Sequence, residues 1–486
     1  MRQRKSLEEA APRLPIKLEP TSNGEYTPPL ESPLLSHVRR QAMRSAENSA
    51  QRLGLSRRDF LRSSAGSATV LLAMNQLAAC GGGQYQIPPN APHDAAEAES
   101  VVGGDEFIFD VQTHHVDADR QWWLESPPNL SEFLKTTPKA NCGSEPFLRC
   151  FDGDHYLKEV FLDSDTDMAV VSALWGTPEM NALLPEEAVK TRERFERMEG
   201  SPRLLLHGVV WGKAQSRAQT AEHMKRLVEQ QRIVAFKLYP VWSPDGQGYR
   251  LDDEATGLRL LEQGLAAGVS IFAIHKGLKV SGNSRAFTSA IDVGPAAKAF
   301  PQAKLLIYHA GYDTERKEGP YDPKAEGGVD ALIRSCQEAG IGKDGNVYAE
   351  LGSVWRETMK DPDQAAHVLG KLLKYLGEDR ILWGTDAIWY GSPQDQIQAF
   401  RTFQISSEFQ ERYGYPALTR EIKRKILGLN AAGVYGVSPD EIRKAQRFDA
   451  VASARLEYQN APRPSHLTYG PRTPAELARL LTSEHG

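Results

Sequence analysis

A repeated pattern of short apolar runs and longer amphipathic stretches occupies the sequence from residue 105 to residue 437. The runs are nearly continuous in Val, Ile, Leu and Phe and are too short for helices, as expected of parallel strands buried on both faces. They cover residues 107–111, 168–173, 204–210, 233–238, 269–274, 304–308, 346–351 and 380–383. Two of the amphipathic stretches end at Gly268 and Gly340, and glycine commonly follows the last residue of a helix.

Eight repeats of strand and helix predict an α/β fold, a closed (β/α)8 TIM barrel, rather than an open sheet. No glycine-rich phosphate loop follows the first run, which argues against the nucleotide-binding alternative. The long connection 117–167 after the first strand carries Trp122 and Trp123. We expect this connection to lie over the barrel mouth as a lid.

The bulk composition is that of an ordinary globular protein. Of 486 residues, 40% are hydrophobic and 25% are charged, and the formal net charge is −5. The length suits one large barrel with additional segments on either side. A nucleic-acid-binding protein usually carries a basic domain or stripe, so the composition favours a small-molecule substrate and no nucleic acid as partner.

The region before the barrel is predicted to be a targeting region for export rather than part of the folded domain. Residues 1–55 are polar without an apolar period, and we expect them to be disordered. Residues 56–80 begin with SRRDFL and continue into a weakly apolar stretch, the pattern of a twin-arginine signal. Residues 81–104 would then be a linker. An alternative start at Met43 would leave residues 1–42 outside the protein.

The signal segment ends in LAAC at positions 77–80, which resembles a bacterial lipoprotein cleavage box. Cleavage there would leave Cys80 as a lipidated first residue that holds the protein at a membrane surface, whereas ordinary cleavage near Ala79 would leave no anchor. The stretch is too short and polar for a good membrane span. We expect the twin-arginine translocation machinery as a partner, a periplasmic or extracytoplasmic location, and membrane contact only through Cys80.

The other cysteines and the end of the chain give two further expectations. Cys142 and Cys150 lie in the long connection and could pair in an oxidising compartment, or remain two separate thiols. Cys336 lies in a helical pattern and is expected to be buried. Residues 438–486 follow the barrel, and capping boxes at 438–441 and 473–476 predict helices in a C-terminal extension.

Polar side chains capable of chemistry cluster at the C-terminal ends of the predicted strands, where barrel enzymes carry their active sites. They are Gln112, His114, Lys237, Tyr239, His275, His309, Glu350, Ser353 and Asp386. Imidazole and carboxylate suit zinc or a similar divalent ion with one position open for water. A lone histidine beside a strand is more often a hydrogen-bonded core residue, and His207 is interpreted in that way.

These residues resemble the amidohydrolase-related family, which includes aminocarboxymuconate semialdehyde decarboxylase and related hydrolases and hydratases. The resemblance runs from about residue 107 to residue 437. Family members open with Asp-x-His-x-His, where this chain has DVQTH at 110–114. The later matches are His275 on the fifth strand, HAG at 309–311 on the sixth, GTD at 384–386 on the eighth, and NAA at 430–432.

The resemblance implies one divalent metal ion, with zinc as the expected metal, held by His114, His275 and Asp386 with Gln112 beside them. His309 would be the catalytic acid/base, because imidazole titrates in the range where a metal-bound water loses its proton. Asp386 would be a second catalytic proton acceptor. Lys237 would contact an anionic substrate, with Tyr239 next to it; a carboxylated-lysine bridge between two metal ions is the alternative.

The chain departs from the family pattern at Gln112, which replaces the first histidine of the pair. An amide oxygen is a poorer zinc ligand than imidazole, and His115 would point to the other side of an extended strand. Three interpretations stay open: a weak or altered metal site, a metal-free site with the same polar residues, and a lost activity.

The function expected from this resemblance is that of an exported hydrolase in which activated water attacks a small amide, ester or lactone. One alternative is a lyase that decarboxylates or hydrates a small unsaturated acid, with Lys237 holding the carboxylate. Another is a binding protein that kept the barrel mouth and lost catalysis at Gln112.

Overall fold

The computed structural model describes residues 13–78, 81–124, 147–197, 203–213, 215–278, 285–464 and 474–475. Eight parallel strands pair in chain order. They are β2 (Phe109–Thr113), β3 (Met168–Val171), β4 (Leu204–Val210), β5 (Ala235–Leu238), β6 (Ile271–His275), β7 (Lys304–Tyr308), β8 (Val347–Glu350) and β9 (Ile381–Leu382). Outside this sheet, β1 (Gly83–Tyr85) pairs antiparallel with β10 (Phe403–Ile405).

The sheet closes on itself through its first and last strands. The amide of Val111 donates to the carbonyl of Trp383, and the amide of Asp386 donates to the carbonyl of Gln112. An isolated parallel bridge joins Thr113 to Ala387. The predicted (β/α)8 TIM barrel is therefore confirmed.

All eight predicted strands are present, and 204–210 and 304–308 have the predicted bounds. The first strand runs from Phe109 to Thr113 rather than over 107–111. Its C-terminal half is polar, so apolar content alone ended it too early. Hydrogen bonding to the chain after β9 extends it to the barrel mouth.

Helices surround the barrel and alternate with its strands. Those that follow strands include Pro185–Arg197, Arg217–Gln231, Arg259–Ala266, Val293–Ala299, Gly328–Ala339, Pro362–Tyr375, Gln394–Thr402 and Asn430–Tyr435. The helix Gly328–Ala339 buries apolar residues on one face. It ends at Gly340, whose φ is +77°; glycine adopts this left-handed conformation at little cost, so the helix can stop there. Shorter helices include Val354–Thr358, Ser407–Tyr413 and Arg420–Arg424.

The region before the barrel is packed where the sequence predicts disorder over residues 1–55. Residues 33–52 form the helix Pro33–Arg52, capped by Ser32. Upstream of it, Leu14, Ile16 and Leu18 are buried. The prediction of disorder was wrong for residues 13–52, because these few apolar side chains have no helical or strand period and are buried only by tertiary contacts.

The signal-like segment and the predicted linker also fold onto the protein. Ser56 caps the helix Arg57–Leu61, and the apolar stretch forms the helix Ser64–Met74 with most of its side chains buried. The predicted linker 81–104 contains β1 and the helix Ala95–Val102. No helix in the described part of the chain is both long and apolar enough to cross a membrane. Cys80 lies outside the described residues.

The long connection after β2 is described only at its two ends. Trp122 is buried and donates from Nε1 to the carbonyl of Asp117. Cys150 is disulfide-bonded, whereas Cys142 and the centre of the predicted lid lie outside the described residues. Cys336 is buried, as expected.

The C-terminal extension begins as the sequence predicts. Ser438 caps the helix Pro439–Gln446, and a second helix, Ala450–Asn460, follows. The extension is fixed to the barrel by a buried bidentate contact between Arg203 and Asp449. The capping box at 473–476 falls outside the described residues, apart from two positions.

Candidate active site

The strand ends bring the predicted site residues together at the mouth of the barrel. His275 ends β6, His309 directly follows β7, and His114 directly follows β2. Each of these three side chains is about 1–2% exposed, and Asp386 is 1% exposed. The site is thus almost entirely shielded from solvent in this structure.

His114 and Asp386 form the best-defined pair. His114 Nδ1 lies 2.9 Å from the carbonyl oxygen of Ser172, so this nitrogen carries the hydrogen of the neutral ring. His114 Nε2 lies 3.2 Å from Asp386 Oδ1. The imidazole nitrogen and the carboxylate oxygen therefore face each other at ion-pair distance.

Gln112 connects this pair to His309. Its Nε2 donates to Asp386 Oδ1 at 3.1 Å and lies 3.4 Å from His309 Nε2. Its Oε1 is buried without a hydrogen-bond partner in the described structure. The amide therefore links Asp386 to His309, and it leaves one acceptor unsatisfied.

His309 is held by backbone and carboxylate contacts. Its Nδ1 lies 2.8 Å from the carbonyl oxygen of Gly352, which leaves Nε2 facing the site without a proton in the neutral ring. Its backbone amide donates to Glu350, whose other oxygen accepts from Gly352 N–H. A Cβ at Gly384 would lie 1.6 Å from Glu350 Oε1, so glycine is required there.

The last strand is positioned by a buried carboxyl on the first. Asp110 accepts from the backbone amides of Gln112 and Thr385, each at 3.1 Å, and from the Thr385 hydroxyl. Burial raises the pKa of Asp110 to about 7. The first residue of the DVQTH motif therefore joins β2 to the loop that carries Asp386.

His275 and Lys237 line the other side of the mouth. His275 Nε2 has no hydrogen-bond partner among the described residues, and its ring stacks on Tyr239 with centroids 5.4 Å apart. The Lys237 ammonium also lacks a hydrogen-bond acceptor and lies 3.5 Å from the centroid of the Tyr308 ring. Tyr239 contributes its ring face, because its hydroxyl donates to the carbonyl of Ala173.

Three site residues adopt backbone conformations that are rare for residues with a side chain. His309, Ser353 and Asp386 have φ values of 65°, 58° and 59°. Such conformations cost free energy and persist where the surroundings impose them, which is common at active sites. Ser353 uses its position to donate to Asp386 Oδ2 at 2.6 Å.

Two residues of the site come from the N-terminal segment, and the sequence interpretation missed both. Asn23 Nδ2 donates to Asp386 Oδ2 at 2.9 Å and to Glu25 Oε2 at 2.7 Å. Glu25 Oε1 lies 4.0 Å from His275 Nδ1. No motif marks these residues, because a polar segment without an apolar period gives no signal of where it docks.

Burial dominates the proton equilibria of the site. It raises the pKa of Glu350 to about 8 and that of Glu25 to about 7. It lowers the pKa of His309 to about 4 and that of Lys237 to about 7. For Asp386 burial acts upward, but hydrogen bonding and charge from His114 outweigh it and lower the pKa to about 2. Near neutral pH, His309 is therefore neutral and Asp386 is ionised.

The donor set fits a divalent metal ion. His114 and His309 each turn Nδ1 to a backbone carbonyl, the arrangement that orients imidazole ligands in metal sites. The buried, unpartnered Nε2 of His275 is a third available donor. Ligand atoms of Glu25, His275 and His309 all lie within 4.8 Å of one another. No such group in the described part of the chain joins His275 to both His114 and Asp386.

A parallel barrel with histidines and a carboxylate at the C-terminal strand ends defines an enzyme of the metal-dependent barrel class. Residues 196–437 match the family model described as amidohydrolase, a range that contains β4 to β9. Over this range, just under half of the chain, the protein is similar to the amidohydrolase family. No curated protein matches it.

Several solved structures are similar to this chain at low sequence identity. The 5-carboxyvanillate decarboxylase from Sphingomonas paucimobilis is 14% identical with a TM-score of 0.39, covering 69% of this chain and 100% of its own. The 4-oxalomesaconate hydratase from Rhodopseudomonas palustris is 17% identical with a TM-score of 0.42, and the match covers 72% of this chain and 100% of the hydratase chain. The dihydroorotase from Campylobacter jejuni is 13% identical with a TM-score of 0.38, covering 68% and 84%.

Proposed function

We propose that this protein is a hydrolase in which His309 and Asp386 act on a water molecule that attacks a small carbonyl substrate carrying a carboxylate. The observation that carries the proposal is the neutral His309 ring. Its Nδ1 is fixed to Gly352 and its Nε2 faces the site next to the ionised Asp386. A fixed base beside a carboxylate is the arrangement that general acid–base chemistry requires.

The chain's own residues divide the remaining tasks. His309 Nε2 accepts the proton of the attacking water and returns it to the leaving group, while Asp386 stabilises the protonated imidazole by its charge. Lys237, without a hydrogen-bond acceptor of its own, binds the substrate carboxylate. Two sets are candidates for holding a divalent ion: His114, His275 and Asp386, which the family resemblance implies, and Glu25, His275 and His309, whose ligand atoms lie within 4.8 Å of one another. Such an ion, when bound, lowers the pKa of water toward neutrality.

The experiment is a panel of small amides, esters and lactones, with and without a carboxylate, incubated with the purified protein supplied with Zn²⁺. We expect hydrolysis of a carboxylate-bearing member and its loss in His309→Ala with the bound metal retained. His367→Ala is the matched control, because His367 is also buried but lies on the outer helix Pro362–Tyr375, where it contacts Tyr415. Equal turnover in both variants would contradict the role of His309.

A lyase is the second candidate, and the buried Lys237 ammonium favours it. A cation without an acceptor inside the mouth suits an acid whose carboxylate is lost or lies beside the double bond that is hydrated. Small unsaturated acids belong in the same panel, with CO₂ release and loss of the conjugated absorbance as readouts. CO₂ release without hydrolysis products would favour the lyase over the hydrolase.

We propose that the protein is exported by the twin-arginine route and lipidated at Cys80. The SRRDFL sequence at 56–61 and the LAAC sequence at 77–80 support it. Fractionation of expressing cells and labelling with a fatty-acid analogue, compared with Cys80→Ala, test the anchor. Equal labelling of both chains would contradict lipidation at this cysteine.

A further inference from the structure

Residues 13–31, called the N-terminal plug below, are inserted into the barrel mouth. Asn23 and Glu25 are its deepest polar contacts: Asn23 donates to Asp386, and Glu25 approaches His275. The same two side chains also bond to each other. A carboxamide and a carboxylate thus lie among the residues that the proposed reaction uses.

The plug is fixed by specific buried contacts rather than by its own secondary structure. Lys17 is 2% exposed, and its Nζ donates to the carbonyls of Tyr390 at 2.8 Å and Ser392 at 2.7 Å. Asp395 accepts from the Lys17 backbone amide at 3.1 Å. The hydroxyl of Tyr26 contacts that of Tyr390 at 3.1 Å. These contacts fix the plug at both ends of the Asn23–Glu25 stretch.

Exposure decreases from the plug into the site. The Glu25 side chain is 23% exposed and Asn23 is 6% exposed, whereas Lys237 beneath them is 0% exposed. The cover over the reacting residues is therefore formed in part by the plug. With the plug seated, Asn23 covers Asp386 Oδ2 and Glu25 lies against His275.

Charge matches as well as shape. The Glu25 carboxyl and the Lys237 amine interact electrostatically, and Lys237 Nζ has no hydrogen-bond partner in the described structure. The Asn23 carboxamide donates a hydrogen bond to Asp386 Oδ2, the same oxygen that accepts from the Ser353 hydroxyl. An amide and a carboxylate two residues apart present the two groups that the proposed substrate would carry.

We propose that the N-terminal plug is an intramolecular inhibitor, with Asn23 and Glu25 occupying the place of a carboxylate-bearing substrate, and that it must leave the mouth before turnover. The inhibitory role rests on the proposed function, whereas the occupancy of the site by the plug does not. The plug precedes residues 56–80 in the chain, so a cut at the predicted cleavage site before Cys80 would separate it from the barrel together with the signal segment.

The first test needs no substrate. A protease recognition sequence is inserted at Gly54–Leu55, where residues are exposed and a Cβ on Gly54 would have no atom within 4 Å. The metal-stripped full chain, before and after cutting, is treated with diethyl pyrocarbonate, and modification of His275 and His309 is followed by mass spectrometry. Lys17→Ala is combined with the cut to weaken the anchor, and Leu30→Ala is the matched control, because Leu30 is 80% exposed.

We expect both histidines to react at least about tenfold faster in the cut Lys17→Ala chain, since a hydrogen bond to a charged donor is worth about a factor of ten or more in an equilibrium. Excess synthetic peptide 13–31 should restore protection. The same peptide with Asn23→Ala and Glu25→Ala should restore much less. Unchanged reactivity of both histidines in the cut Lys17→Ala chain would overturn the proposal.

The second readout separates the inhibitor from a working part of the site. On the substrate found for the proposed function, the cut Lys17→Ala chain should turn over faster than the uncut chain, and peptide 13–31 should inhibit it competitively. Its Zn²⁺ content, measured in parallel, should be maintained. Loss of both Zn²⁺ and turnover on release of the plug would overturn the proposal and make Glu25 a functional ligand. If the histidines become reactive and Zn²⁺ is retained while no panel member is turned over, occupancy by the plug is supported and the proposed function is at fault.

Discussion

The substitution Gln112→His restores an imidazole at the position where the chain departs from its family. The Gln112 amide nitrogen lies within 3.4 Å of His309 Nε2 and donates to Asp386 Oδ1 at 3.1 Å, so an imidazole on the same Cβ reaches the same group of donors. The unsatisfied Gln112 Oε1 costs about 1–3 kcal/mol as a buried acceptor without a partner. Its removal offsets the loss of the hydrogen bond to Asp386, and we expect little change in the stability of the metal-stripped protein.

The change should appear in metal affinity. Loss of a residue that merely orients a ligand costs about 10–100-fold in affinity, so the gain of a direct imidazole ligand should be at least as large, or ~1.4–2.8 kcal/mol. The assay is titration of the metal-stripped protein with Zn²⁺ in competition with a chromophoric chelator. Gln112→Asn is the matched control, because it keeps an amide and supplies no imidazole. An unchanged Zn²⁺ affinity in Gln112→His would refute the placement of the metal beside β2.

Three further predictions concern the substrate, the fold and the route out of the cell. Lys237→Met should raise KM for a carboxylate-bearing substrate by about 10–100-fold with a smaller effect on kcat, because it removes a charged hydrogen-bond donor worth about 1.5–3 kcal/mol; equal loss for substrates with and without a carboxylate would contradict this. Lys371→Met should lower the free energy of unfolding by about 3–5 kcal/mol, because Lys371 is 0% exposed and neutralises both Glu318 and Asp330; denaturant unfolding measures this, with the exposed Lys225→Met as a control expected to change little. Replacement of Arg57 and Arg58 by lysine should retain the protein inside the cell, and fractionation showing normal export of this variant would count against the twin-arginine route.

The barrel could be predicted from the sequence because each of its strands is marked by a pattern of neighbouring residues. Parallel strands buried on both faces are apolar along their whole length, so each gives a short run that stands out from the helices around it. The strand ends then placed His114, His275, His309 and Asp386 at one end of the barrel without any knowledge of contacts. The limits of β2 were less accurate, since its polar end forms a strand only by pairing with the chain after β9.

The N-terminal region shows where local information fails. Residues 13–31 are polar and irregular, and on composition they are indistinguishable from a disordered segment. Lys17 is buried because carbonyls of a distant loop and Asp395 satisfy its ammonium, and Asn23 enters the site because Asp386 accepts its amide. Both partners lie more than 360 residues away along the chain.

The sequence by itself determined the strand order, the end of the barrel that carries the chemistry and the residue types available there. Each of these follows from a period or a motif that neighbouring residues set. The tertiary structure alone decided which nitrogen of each histidine faces the site, that Lys237 has no hydrogen-bond acceptor, and that the plug supplies Asn23 and Glu25. These depend on groups that meet only after the chain has folded, and burial then sets their pKa values.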